Sequence, residues 1–153
     1  MNLELSFSWV GLVVFILPML INVFYVLFPP VGDVSSEKGA VTFAEVVEKV
    51  SRIAYLLVLV FLVSKRDLDI RSAWFYLAIL FLVLYYVVWI RYFAGGRDVA
   101  LLGRSFALIP IPLAIFPVLY FLCAAIWMNN IPATVIMIVF GIAHITVSVR
   151  SLR

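Results

Sequence analysis

Five long apolar runs dominate this sequence, and its polar residues lie mostly between them. The runs cover about residues 8–28, 43–64, 72–93, 104–128 and 132–149. A helix of roughly 20 residues crosses the roughly 30 Å hydrocarbon core of a bilayer, so each run is long enough to span it or nearly so. The runs are continuous and do not alternate between apolar and polar positions, so β-strands are not expected. The pattern predicts an all-α integral membrane bundle of five transmembrane helices, in a single transmembrane domain over residues 1–153.

Prolines and glycines mark the ends of several runs. The first run ends at Pro29 and Pro30, because proline lacks the N–H that a continuing helix needs. The pair Gly95 and Gly96 closes the third run. Pro132 suits the first turn of the fifth run.

The composition agrees with a membrane protein. Hydrophobic residues make up 67% of the 153 residues and charged residues 12%, whereas soluble domains are near half apolar and a quarter charged. The N-terminus lacks a basic segment and a small-residue cleavage site, so the first run is expected to be retained. The single Cys123 cannot form an internal disulfide.

The distribution of lysine and arginine predicts the orientation. With five spans, one side carries Lys65, Arg66 and Arg71, and the other carries Lys38, Lys49, Arg52, Arg91, Arg97, Arg104, Arg150 and Arg153. Basic residues favour the cytoplasmic side. The chain is therefore predicted to be a multi-pass protein of the cell membrane, with its N-terminus outside and its C-terminus in the cytoplasm. The net charge of +3 is attributed to this asymmetry, and no nucleic-acid partner is expected.

The second run begins with a stripe of four charges: Glu45, Glu48, Lys49 and Arg52. At 100° per residue these positions share one helix face of about 100°. The pairs Glu45–Lys49 and Glu48–Arg52 have the favourable i,i+4 order, with the acid first. Two interpretations stay open. The basic side chains snorkel to lipid headgroups, or the stripe faces the bundle interior and lines a polar cavity.

Other polar residues are predicted to lie at the same membrane depth as this stripe. With the five-span topology, polar residues of all five helices lie at this depth, with Arg104 from the fourth. The candidate ligand-binding residues come from the other four helices and are Glu45, Glu48, Lys49, Arg52, Tyr55, Asn22, Tyr85, Arg91 and His144. Each has an ordinary alternative: His144 as a packing residue, or Asn22 as a hydrogen-bonding contact between helices. Trp89 and Tyr92 are assigned to an aromatic belt at the membrane interface.

Signatures of enzymes are missing from the sequence. One histidine and one cysteine exclude a His/Cys zinc site, and no HExxH, GxSxG or phosphate-binding glycine loop is present. No catalytic residue, metal or cofactor is therefore predicted.

Three strings carry a resemblance to known sequences: WIRYF (89–93), IPIPLAIFPVLYF (109–121) and GIAHI (141–145). They resemble a family of small uncharacterised bacterial polytopic membrane proteins, over most of the chain. Members of that family carry acids beside the arginine of the second helix, where this chain has Ser51 and Tyr55, and an acid at the position of Tyr86. The resemblance implies a polytopic fold and no particular activity.

The leading functional hypothesis is non-enzymatic binding, and passage, of a small amphiphilic or anionic ligand or lipid headgroup. The site would be a cavity in the cytoplasmic half, and the partners would be membrane lipid and that ligand. The alternative is an accessory or scaffold subunit whose charged stripe docks a second copy or another membrane protein. An intramembrane enzyme ranks third.

Overall fold

The computed structural model describes residues 3–31, 41–106 and 108–151. Its helices are α1 (Trp9–Leu27), α2 (Phe43–Phe61), α3 (Ala73–Ala94), α4 (Ala100–Gly103), α5 (Pro112–Trp127) and α6 (Ile131–Ser151). Two short strands, β1 (Leu3–Leu5) and β2 (Leu62–Ser64), pair antiparallel. Lys38 and Arg153 of the predicted topology lie outside the described residues.

Three of these helices, α1, α3 and α6, are long and apolar enough to cross a membrane. This supports a membrane-embedded, all-helical protein. The other two long helices do not meet this criterion of length and hydrophobicity, for separate reasons. The charged stripe interrupts the apolar surface of α2, and α5 has only 16 residues.

The long helices form an open arc that α1 covers. α2 packs along α6, α3 packs along α5, and α5 joins α6, which gives the order α2–α6–α5–α3. The two ends of this arc, α2 and α3, share no substantial contact with each other. α1 lies across this open side and contacts α2, α3 and α5.

A glycine allows α1 and α2 to approach closely at one end. A Cβ atom at Gly11 would clash with the carbonyl oxygen of Leu59, so a larger residue would push the helices apart. The Ser8 amide donates to the Val60 carbonyl at 2.8 Å beside this crossing. β1 and β2 extend the same contact beyond the helix ends.

The predicted end of the second helix was wrong by three residues. The helix ends at Phe61, and 62–64 form strand β2, although no strand was expected. The extended segment gains backbone hydrogen bonds to β1, and the Asn130 amide donates to the Leu62 carbonyl at 2.7 Å. These contacts supply hydrogen-bond partners to the backbone of 62–64, which in a longer helix would have bonded within the helix.

The predicted start of the fourth apolar helix at residue 104 was also wrong, because α5 begins at Pro112. Proline disfavours a helical conformation in the residue before it, and the string IPIP therefore blocks helix before Pro112. Ile111 adopts a left-handed conformation with φ of 43°. Pro112 then occupies the first helical turn, where its missing N–H costs nothing.

The proline in α1 is accommodated by a tyrosine from α5. Pro18 has no N–H, so the Val14 carbonyl four residues earlier loses its helical donor. The Tyr120 hydroxyl donates to that carbonyl at 2.8 Å. Because both groups are buried, this hydrogen bond replaces the lost one and also holds α1 against α5.

Replacing Tyr120 with Phe should lower the free energy of unfolding by about 1–3 kcal/mol, because a buried carbonyl is left without a donor. The loss should be smaller in a Pro18→Ala background, where alanine at position 18 supplies the missing N–H. Chemical unfolding in detergent measures both. Tyr76→Phe, at an exposed tyrosine of α3, should change the stability by less than about 0.5 kcal/mol. An equal cost in both backgrounds would contradict the assignment.

Candidate functional site

A central cavity of about 240 Å³ lies where the five long helices meet. Its walls are mostly apolar and aromatic side chains, and a few polar groups are set among them. The lining residues are Phe15, Met19, Asn22, Arg52, Tyr55, Tyr85, Trp89, Leu113, Pro117, Phe121, Met137, Phe140 and His144. Ligand pockets usually measure about 300–1,000 Å³, so this cavity fits a small molecule or one end of a larger one.

An ionic cluster forms one wall of the cavity. Glu48 is buried, and the same carboxylate oxygen, Oε1, meets the Arg52 guanidinium and lies 3.1 Å from His144 Nδ1. The predicted i,i+4 pair of Glu48 and Arg52 is therefore present. Phe140 stacks on the His144 ring at 5.1 Å and lies 5.6 Å from the Arg52 guanidinium carbon.

Arg52 belongs both to this cluster and to the surface. About half of its side chain is exposed, at 52%, whereas that of Glu48 is 11% exposed. A guanidinium carries five N–H donors, and Nη2 is the nitrogen that bonds Glu48. In the part of the chain that the structure describes, Glu48 is the hydrogen-bond partner of this guanidinium, so its other N–H groups can donate to acceptor oxygens of a ligand. The Phe140 ring lies against the cation.

Neutral polar groups of α1, α2 and α3 also line the cavity. The Tyr85 hydroxyl donates to Asn22 Oδ1 at 3.1 Å, which joins α3 to α1. The Asn22 amide nitrogen contacts the Met19 sulfur at 3.7 Å, a weak acceptor. The buried Tyr55 hydroxyl donates to the Phe121 carbonyl at 2.8 Å and joins α2 to α5.

A second proline modifies the cavity wall. Pro117 lies within α5, so the Leu113 carbonyl has no amide donor four residues later. Both residues line the cavity. Pro117 thus leaves a backbone carbonyl without its helical donor in a residue that lines the cavity.

The structure brings some of the predicted candidates together and places others elsewhere. Asn22, Arg52, Tyr55, Tyr85 and His144 line the cavity, and Glu48 contacts two of them.

Glu45 and Lys49 do not contribute to the cavity. Glu45 accepts a hydrogen bond from the Thr42 hydroxyl at 3.2 Å, at the start of α2. Lys49 is exposed. The predicted Glu45–Lys49 ion pair is absent from the salt bridges of the described residues, because each side chain has turned to another environment.

Arg91 also lies away from the cavity. Its guanidinium donates to the carbonyls of Leu101, Arg104 and Ser105 at 2.8–3.3 Å. It holds the segment between α3 and α5 in place, which is a structural role that the sequence did not reveal.

Trp89 was missed as a cavity residue. The sequence assigned Trp89 and Tyr92 to an interfacial belt, but both are buried, with Trp89 only 6% exposed. Tyr25 of α1 packs against both rings, at 5.3 and 5.9 Å. The signal available in the sequence was their i,i+3 spacing together with Tyr85 at i−4, which places the three side chains on one helix face.

The arrangement suits recognition of a polar head beside an apolar body. Among the described residues no three His, Cys, Asp or Glu side chains are grouped to hold a metal. The cluster instead places the Arg52 cation, its buried counter-ion Glu48 and His144 at the edge of the largely aromatic cavity. The guanidinium of Arg52 can donate hydrogen bonds to an acceptor group, and Glu48 orients that guanidinium.

Comparison of the chain with protein-family models, curated proteins and solved structures gave no match. The resemblance drawn from the three sequence strings stays a prediction, and the geometry alone bears on function.

Replacing Arg52 with Leu should lower the free energy of unfolding by about 1–3 kcal/mol. The estimate lies between the small cost for an exposed pair and the larger one for a buried pair, because Glu48 is buried and keeps only His144. The double variant Glu48→Leu/Arg52→Leu should recover most of the loss, since no unpaired charge remains.

Unfolding of detergent-purified variants measures these effects. Lys49→Leu is the matched control, because Lys49 is an exposed cation on the same helix, and it should change the stability by less than about 0.5 kcal/mol. Wild-type stability of Arg52→Leu would instead favour a snorkelling arginine with no buried partner.

Proposed function

We propose that this chain is a non-enzymatic, multi-pass membrane protein that binds a small amphiphile by its anionic or acceptor-rich head. The head lies at Arg52, and the apolar body lies against the aromatic walls of the central cavity. The observation that carries the proposal is the position of a half-exposed guanidinium on the wall of an apolar cavity lined by all five long helices.

The proposal includes α2 and α5 as membrane spans, in addition to the three apolar helices. α2 runs antiparallel to α6 over its length: Glu48 meets His144 near one end, and Asn130 meets the Val58 carbonyl near the other. α6, a proposed membrane span, therefore covers Glu48 on the charged face of α2, while Arg52 stays half exposed at the cavity. The ion pair of Glu48 with Arg52 and its contact with His144 Nδ1 reduce the cost of that burial.

α5 suits a central span despite its length. At 1.5 Å per residue its 16 residues extend about 24 Å, less than the hydrocarbon core of about 30 Å. More than half of its residues are buried against other helices. Contact with the other helices therefore replaces contact with lipid along much of its length.

An accessory subunit is the alternative from another class. A docking stripe should present its charges to a partner outside the bundle. Glu48 is instead buried against α6, and Arg52 pairs with it at the cavity edge. These positions favour the cavity over docking, and passage of the ligand is the natural extension of binding.

The orientation is part of the proposal, because eight of the eleven basic residues fall on one predicted side. In a Cys123→Ser background, a cysteine at the exposed Asp67 should react with an impermeant maleimide added to intact cells. A cysteine at the exposed Ser105 should react only after lysis. The reverse labelling pattern would place the C-terminus outside.

The binding proposal is tested by the thermal stabilisation that added lipid extract gives to the purified protein. Wild-type protein should melt at a higher temperature with lipid extract than without, because a ligand of the folded state stabilises it. The Glu48→Leu/Arg52→Leu variant should keep a native melting transition and lose that shift, because the charge that the head contacts is gone.

Lys49→Leu should keep the full shift, since Lys49 does not line the cavity. An equal lipid-induced shift in the double variant and the wild type would contradict the proposal.

A further inference from the structure

α1 crosses the open side of the arc obliquely. Its first half lies against α2: Ser8 bonds Val60, and Gly11 packs on Leu59. Its second half lies against α3, where Tyr85 bonds Asn22 and Tyr25 packs on Trp89 at 5.3 Å.

Because of this crossing, α1 leaves α2 as it approaches the ionic cluster. Within the described parts of the chain, no hydrogen bond or ring contact joins the second half of α1 to the first half of α2. α2 and α3 share no substantial contact, so α3 does not close the space beside α2. Among the described residues, a gap therefore separates the second half of α1 from α2 on the side of Arg52.

The central cavity reaches this gap. Its lining includes Met19 and Asn22 on α1 and Arg52 on α2, which are the two sides of the gap. The cavity is partly open, and 52% of the Arg52 side chain is exposed although it lines the cavity wall. The guanidinium therefore stands in the opening.

The rim of the opening is apolar. Next to the lining residues Asn22 and Arg52, Val23 of α1 is 54% exposed and Ile53 of α2 is 61% exposed. Arg52 lies nine residues after the start of α2, which is about 13 Å along the helix axis. In the proposed span, this depth is within the hydrocarbon, where the rim faces lipid chains and not water.

We infer that the gap between α1 and α2 is a lateral entrance, and that the occupant is an anionic membrane lipid that enters from the bilayer. The inference rests on the proposed function and names its ligand class and route. The lipid head contacts Arg52 and the first carbons of its chains fill the cavity. The cavity of about 240 Å³ is too small for a whole two-chain lipid, so the chains pass between α1 and α2 into the membrane.

The experiment uses fluorescence of the buried Trp89, which lines the cavity. Trp9, Trp74 and Trp127 are replaced by Phe, and the protein is placed in vesicles whose phosphatidylglycerol or phosphatidylcholine carries brominated chains. Chain-brominated phosphatidylglycerol should quench Trp89 at least twofold more than phosphatidylcholine. Adding Glu48→Leu/Arg52→Leu should abolish the difference.

A single-tryptophan variant that keeps Trp9 is the matched control. Trp9 is 72% exposed and lies away from the cavity, so both lipids should quench it equally. Removal of Trp127 costs its hydrogen bond to the Asp69 carbonyl. A second measurement, photo-crosslinking, therefore uses the wild-type chain without substitutions. A phosphatidylglycerol with a photoreactive group near its ester should form adducts on cavity residues such as Met19 and Phe140.

The outcomes separate the two proposals. The lateral entrance is overturned if both lipids quench Trp89 equally weakly and loss of Arg52 does not change the quenching, and if no adduct forms on cavity residues. If soluble glycerol phosphate then still stabilises the wild type but not the double variant, the binding site stands and its ligand comes from water. If neither lipid nor glycerol phosphate acts through Arg52, the proposed function fails as well.

Discussion

The buried carboxylate of Glu48 is the constraint on which the arrangement of α2 depends. A carboxylate removed from water is costly unless it is paired and hydrogen-bonded. Arg52, one turn away, and His144 of α6 both meet the same oxygen. This contact fixes how α2 lies against α6, and it places a cation beside the cavity. One interaction therefore links the packing of two helices to the chemistry of the candidate site.

The remaining helices are joined largely through backbone carbonyls. Tyrosine hydroxyls of α2, α3 and α5 donate to Phe121, Leu17 and Val14. Inside a membrane the hydrophobic effect does not drive helices together, so packing and hydrogen bonds between helices carry more of the association. Pro18 and Pro117 each free a carbonyl. The first is used to hold α1, whereas the second lies on the cavity wall.

Much of this architecture follows from local sequence pattern, and the parts that do not follow depend on distant contacts. The apolar runs predict α1, α3 and α6 to within a few residues, because length and continuous hydrophobicity are local properties. The start of α5 at Pro112 is also local, because the two prolines of IPIP outweigh the helical tendency of the long apolar run. The end of α2 at Phe61 needed the pairing with β1, which no local pattern reveals.

The candidate site shows the same division. The i,i+4 spacing predicted the pair of Glu48 and Arg52, because helix geometry alone brings those side chains together. The contact of His144 with Glu48 depends on the packing of α6, and the burial of Trp89 depends on the packing of α1. From the sequence alone, the two residues could only be placed at a similar depth in the membrane. Arg91 carries the positive charge expected of a residue that binds an anion. Its guanidinium instead bonds carbonyls of the segment that follows α3, which the sequence pattern did not indicate.

Native mass spectrometry of the protein released from native-lipid nanodiscs tests the central claim that Arg52 holds an amphiphile in the cavity. The account predicts that the wild-type chain retains one anionic lipid at activation energies that strip the others. The folded Glu48→Leu/Arg52→Leu variant should retain none. Equal retention by both proteins, or release of every lipid from the wild type at the same energy, would contradict the account.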